Sequence, residues 1–500
     1  MLSSAALAQD DVPVAAEPVA AESVVSEQHF TAAGDRLPSD NVLSLAQTRD
    51  GFLWVGTDRG LARFDGRQWR VLDRSSHPTL SSEHISALTP DRDGYLWVGT
   101  KGGGLYRFNG ANFLPISRPN QLGGPWNVTA VFQQDDGLLW VGTPEDLLYL
   151  QPLSSSLRYG LPGIPVSNLT IDPYDHVWAS AGRGLFRQVQ LTFQTLSLPL
   201  GVANRAIHCL VMTPGGQLIL GREDGLMLAE GRFDNTGLPQ SADLIPGLRG
   251  PVSALLIDQQ GRLIVGTSEA VIRLGGALEP GLRPDSVQLI TPDSARGDAG
   301  WRANQIIEDR EGGLWIATTH GLHRIENTIA ETTVNLTVTI SADGRPRRPA
   351  TRYLLPPETE ILQIELAAPT FRQVGQVEVR SRLEGHDEGW RTGERSLTYQ
   401  DLSPGTYSLT AEASLDGGAT WTIEERVEIE IEPELLETWT FWLSIIGGFA
   451  GILGIVGGWL LFVRHRERRF AEMAAQEWRE IQEESGMIDS EHDLGERRPD

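Results

Sequence analysis

The sequence predicts an all-β protein: a seven-bladed β-propeller followed by an Ig-like β-sandwich, one transmembrane helix and a short tail. Three observations carry this expectation. A Trp-Gly repeat recurs through the first two-thirds of the chain, short alternating strands replace it, and a single long uncharged stretch follows.

The repeat is clearest in Asp50-Gly51-Phe52-Leu53-Trp54-Val55-Gly56-Thr57, followed by Gly60-Leu61-Ala62-Arg63-Phe64-Asp65-Gly66. It returns from Asp93 and Asp136, and in eroded form from Asp175, Gly215, Gly261 and Glu311. Trp54, Trp97, Trp140, Trp178, Ile219, Ile264 and Trp315 hold equivalent places, 38 to 51 residues apart. Each copy reads as strand, Asp-Gly turn, strand, short loop, strand, and the turn is expected to form because both of its residues tolerate positive φ. A period near 40 with about four strands fits a propeller blade, whose faces are buried only by stacking on its neighbours. The seventh copy ends near Asn327 with room for three strands. Glu27 to Ala33 is expected to supply the missing outer strand and close the ring, removing a sheet edge.

With a formal charge of −24, the 500-residue chain is a poor nucleic-acid partner, since phosphate binding needs clustered Lys and Arg on one face. Cys209 is the only cysteine, which excludes an intrachain disulfide, a paired-thiol redox site and a Cys-rich zinc site. Residues 1–27 read as the remnant of a secretory signal, with Ala6-Leu7-Ala8 as its cleavage pattern, and then an acidic linker rich in Ala, Val, Pro and Glu.

Over residues 28–327 the GxLWVGTxxGLxRFDG units, with Leu37-Pro38-Ser39-Asp40-Asn41-Val42 before the first, resemble two-component regulator propeller repeats. The resemblance implies a periplasmic ligand-sensing propeller of a bacterial signal-transduction receptor.

Between 328 and 433, alternating segments such as Val334–Ile340 and Ile361–Leu366, with turn signals between them, predict the β-sandwich. Arg382 to Trp390 and Tyr399 to Tyr407 resemble the three-tyrosine domain that follows such propellers. Ser381 and His386 depart from its pattern, and the residues read as core and corner packing.

Residues 439–463 carry no charge and would make about 37 Å of helix, enough to cross a hydrocarbon layer of about 30 Å. Arg464, His465, Arg466, Arg468 and Arg469 follow at once, which places residues 464–500 in the cytoplasm and the earlier domains in the periplasm, as a single-pass inner-membrane protein. Gly447, Gly451, Gly454 and Gly458 share one helical face and read as the seam of a homodimer. Phe470, Met473, Trp478 and Ile481 mark one side of a short tail helix.

The 37 residues after Val463 hold neither a kinase nor a diguanylate cyclase, so the chain is not expected to be an enzyme, and a separate cytoplasmic kinase or cyclase would carry the output. No phosphate loop, nucleophile motif, metal-spaced histidine pair or cofactor motif stands out. Ligand binding is the chemistry left to place. The loops joining second to third strands, and those leading into the first, should share one face, where Arg59, Lys101, Arg183, Arg222 and His320 could bind a small molecule, glycan or anion. Asp58, Glu145, Glu223 and Glu269 share that rim. The competing readings are a membrane-anchored propeller hydrolase or lyase, marked by paired acids, and a protein-binding scaffold, marked by a flat face. An Arg- and aromatic-lined central cavity would mark the sensor.

Overall fold

The computed structural model describes residues 27–118, 125–196, 205–230, 241–244, 250–275, 286–291, 300–326, 335–371, 377–433 and 463–479, except 153, 155, 183, 416, 422, 465 and 478. The expected membrane segment 439–463 lies outside them apart from Val463, as do Gly447, Gly451, Gly454 and Gly458. No helix among the described residues is long and apolar enough to cross a membrane. The chain forms two compact units. One comprises Met1–Tyr353, Thr359–Leu402 and Thr406–Ile429, and the other Leu354–Glu358, Ser403–Gly405 and Glu430–Asp500. In the second, residues 466–477 are helical, with Phe470 and Met473 exposed.

Seven four-stranded antiparallel sheets form the ring. Blade one is built from Val42–Gln47, Leu53–Thr57, Gly60–Phe64 and Trp69–Leu72, and five blades repeat its order, with first strands Ile85–Pro90, Ala130–Gln133, Asn168–Ile171, Ile207–Met212 and Val252–Ile257. Blade seven takes Ala303–Glu308, Gly313–Thr318 and Gly321–Glu326 from its own segment. Its fourth strand is Glu27–Phe30, as the sequence led us to expect, in antiparallel register from Glu27 opposite Ile325 to Phe30 opposite Leu322. First strands are innermost, and the first strand of blade seven meets that of blade one.

The hairpins differ from the expectation in one respect. Only the glycine of the Asp-Gly pair has positive φ, +91° at Gly51 and +82° at Gly94, and the turn is closed one residue earlier, by the N–H of Thr48 on the carbonyl of Phe52. This is a three-residue connection ending in a left-handed residue, which matches the strand twist without strain on the aspartate. It also explains the eroded fourth copy: Asp175 takes the glycine's place with φ of 65°, a conformation that Asp tolerates better than most residues.

The repeat's Trp and Arg meet inside four of the blades, while in blade three Trp140 faces Tyr149. Trp54, Trp97, Trp178 and Trp315 pair across the second and third strands with Arg63, Arg107, Arg187 and Arg324. The guanidinium carbons lie 5.4 to 5.9 Å from those ring centroids. The residue six places before the Trp accepts the indole N–H, as Thr48 does from Trp54 at 2.9 Å, Asp172 from Trp178 at 3.0 Å and Asp309 from Trp315 at 2.8 Å. Asp172 and Asp309 also receive Arg187 and Arg324. The indole N–H groups of Trp54, Trp178 and Trp315 are thereby satisfied while the rings fill the blade cores, whereas that of Trp97 is buried without an acceptor.

Residues 337–431 form two further sheets. One orders Arg345–Pro346, Thr337–Ala342, Ile361–Ala367 and Ser396–Gln400; the other orders Arg352–Leu355, Ile423–Ile431, Gly405–Ser414, Glu378–Glu384 and Arg391–Thr392. Burial alternates along Ile361–Ala367 and Ser396–Gln400, so one side of each strand faces apolar neighbours. Tyr399 donates to Asp387 at 2.9 Å, and Ser381 is fully buried, consistent with packing roles for this stretch.

Candidate functional site

The two faces of the ring are built differently. On one, the loop between second and third strands is tied in four blades to the loop leading into the first strand: Asp58 N–H to the Asn41 carbonyl, Lys101 to His84, Glu223 to Ala206 and Thr319 to Arg302. The other carries the Asp-Gly hairpins, and here the 337–431 sheets dock. Ala367 packs on the core of blades one and two, and Phe371 enters the core between blades seven and one. The amide of Phe371 donates to the Glu311 carboxylate at 2.9 Å. A Cβ on Gly66, where φ is +92°, would stand 1.8 Å from the Thr370 carbonyl oxygen, so this approach depends on glycine.

Four of the five residues singled out in the sequence are on the first face, and Arg183 lies outside the described residues. Arg59 and Lys101 are exposed. His320 is partly buried, its Nδ1 3.0 Å from Thr319 Oγ1. Arg222 is 2 % exposed and directs its Nε and Nη2 onto Asp224 at 2.6 to 2.9 Å. They belong to blades one, two, seven and five, and none lines the cavities described next.

A central cavity of about 310 Å³ is walled by the first strands of the seven blades, with small aliphatic, hydroxyl and amide side chains rather than Arg or aromatic ones. Most of its polar groups, and Cys209 beside them, follow one rule. Ser44 donates to the Ile85 carbonyl at 3.4 Å, Ser86 to Val128 at 2.6 Å, Thr129 to Val166, Asn168 to His208, Cys209 Sγ to Val252 at 3.6 Å, Ser253 to Ala303 at 2.6 Å and Asn304 to Val42 at 2.7 Å. Every junction between blades is thus bridged by a side chain reaching the next backbone. In five blades the donor is one of two successive residues at a register shift, where a bulge brings both toward the axis. These groups hold the ring together, and sequence reading missed them because the donor changes from hydroxyl to amide to thiol.

A second cavity, about 730 Å³, opens between blades two and three on the hairpin face, lined by Arg92, Arg107, Asp93, Asp136, Leu114 and Pro152 among others. Arg107 is occupied by Asp91 and Asp93. Among the described residues no group of three or more His, Cys, Asp or Glu side chains could hold a metal ion.

These features define a closed β-propeller with a sheet domain seated on its hairpin face. Residues 36–59 and 79–102 match the two component regulator propeller family, so the repeats of the first two blades are two-component regulator propeller repeats. No curated protein matches the sequence. Among solved structures, the extracellular domain of a protein described as a hybrid two component system from B. thetaiotaomicron is 15% identical, with a TM-score of 0.51 over 81% of this chain. The chain spans 57% of that domain's length, and the likeness shows a common fold. The PorZ surface component of the Porphyromonas gingivalis type-IX secretion system aligns with 80% of this chain and 61% of its own, at 14% identity and TM-score 0.48. Virginiamycin B lyase from Staphylococcus aureus aligns with 61% of this chain and 99% of its own, at 11% identity and TM-score 0.48.

Proposed function

We propose that this chain is the periplasmic ligand-sensing part of a bacterial inner-membrane signal-transduction receptor, binding a small molecule or glycan and acting with a separate kinase or cyclase. The observation that carries the reading is the division of labour between the two faces. The hairpin face is engaged by the following sheet domain through Thr370, Phe371 and Glu311, while Arg59 and Lys101 stand exposed on the opposite rim. The two-component regulator repeats and the fold shared with an extracellular domain of a hybrid two component system support it. In this reading the 337–431 sheets are an Ig-like relay, and Trp439–Val463 crosses the membrane and pairs with a second copy through Gly447, Gly451, Gly454 and Gly458.

The test is a thermal-shift screen of the full chain in detergent against mono- and oligosaccharides and small organic anions. A ligand at about 100 times its Kd should stabilise the fold by about 2.7 kcal/mol. Chemical conversion of a library member, or no shift throughout, would overturn the sensor reading.

A further inference from the structure

Successive residues of the closing strand Glu27–Phe30 face two different clusters. Phe30 lies 5.7 Å from Trp315, 5.4 Å from Phe64 and 5.5 Å from Trp69 between ring centroids. Phe371 joins the same cluster, 5.2 Å from Trp315 and 5.9 Å from Phe64. The N-terminal strand, the first and last blades and the docked sheet domain therefore share one aromatic nucleus. Such packing contributes beyond simple area burial, and its members are not independent.

On the strand's other side, His29 stacks on His323 with centroids 4.2 Å apart and planes 7° from parallel. His29 Nε2 donates to the His320 carbonyl at 3.0 Å, and a Glu27 carboxylate oxygen is 3.6 Å from His323 Nδ1. Ile316 stands opposite His323 on the second strand of the blade. Glu27, His29 and His320 are the titratable groups acting on His323, which is 1 % exposed. Burial, helped by His29, pushes His323 down to about 4, against the pull of Glu27. Two protonated rings in that stack would repel, and one of them would be desolvated.

We propose that Glu27–Phe30 is an acid-released latch: protonation of His323, stacked on His29, frees the strand from blade seven, and the withdrawal of Phe30 unseats Phe371. Closure of the ring and docking of the sheet domain are then one event, governed by a proton and independent of any ligand.

Hydrogen exchange on the full chain tests this at pH 7.5 and 5.5, after correction for intrinsic rates. A histidine that titrates near 6.5 once released but stays neutral in the stack lowers protection about tenfold at pH 5.5. That loss is expected at Glu27–Phe30 and at Phe371 together, with Leu139–Gly142 of blade three unchanged. The paired substitution His29→Gln and His323→Gln should abolish the pH dependence, and Phe30→Ala should expose Phe371 at pH 7.5 without acid. Equal protection of the strand at both pH values, or loss at the strand with Phe371 still protected, overturns the latch in the unmodified chain, whatever the variants do.

Discussion

The side-chain amide of Asn304, on the last blade, donates to the backbone carbonyl of Val42, on the first, at 2.7 Å. It does across the closing junction what Ser86 does between blades two and three at 2.6 Å. The junction between the last and first blades is therefore bridged like the others. Asn304→Ala leaves the Val42 carbonyl without this donor and should cost about 1–3 kcal/mol. Ser44→Ala removes a longer contact of 3.4 Å and should cost less. Urea denaturation followed by tryptophan fluorescence compares them, and equal losses would mean the seam bonds are incidental.

Gly66→Ala introduces a methyl 1.8 Å from the Thr370 carbonyl oxygen on a backbone of φ +92°. The expected result is detachment of the sheet domain, seen as faster proteolysis between residues 327 and 371, with blades two to six still protected. Gly94→Ala shares the positive φ but meets nothing within 4 Å, so it should show the backbone strain alone.

Burial raises the Glu311 carboxyl above its ordinary value, opposed by its bonds from Thr370 and Phe371. The folded state then holds the proton more tightly than the unfolded one, so stability falls as pH rises through the raised value. Glu311→Gln should be more stable than the parent at pH 7.5, and the gap should close as pH drops below the usual glutamate range near 4.5. Thermal melts across pH 4 to 7.5 would show it. A less stable variant at pH 7.5 would mean that Arg324, 4.0 Å away, outweighs burial.

Cys209 is 7 % exposed, and burial pushes its thiol up to about 12. Only the thiolate alkylates, so iodoacetamide at pH 8 should label the native chain at least about a thousandfold more slowly than the unfolded chain. Rapid labelling without unfolding would place the thiol elsewhere than in the seam between Val252 and Gly221.

The residues of the free rim should separate by function. Arg59→Ala and Lys101→Ala are expected to weaken ligand binding about tenfold or more with little change in melting temperature, because both side chains are exposed. Arg222→Ala should instead destabilise the blade by about 1–3 kcal/mol, since it strips a partly buried Asp224 of its nearer arginine and leaves only Arg205, 3.6 Å away. A binding defect in Arg222→Ala without instability would reverse that assignment.

Fold and site were legible to different degrees, for physical reasons. Trp54, Trp97, Trp140, Trp178 and Trp315 announce their blades because a large side chain in a narrow sheet tolerates few alternatives, and the strand order follows from short-range turns. The closing strand was readable as well, since three strands leave an open edge that something must cover. The seam donors were not, because a carbonyl accepts equally from Ser86, Asn168 or Cys209 and so imposes no single residue type. Nor was the seat of Phe371, whose partner Glu311 is 60 residues away and acquires meaning only once the ring is closed. Arg222 and Arg59 look alike in sequence, and burial alone tells them apart.

Each bridging donor around the cavity reaches forward to the next blade, from one to two and onward to seven and back to one. That is the head-to-tail geometry of a cyclic oligomer folded into a single polypeptide, in which a repeated step must turn through a full circle to close. Blade number is therefore an angular quantity. Removing one unit would open every remaining joint by the same small rotation, and lengthening a loop would alter none of them, which leaves the rims free to diversify on a frame of fixed count.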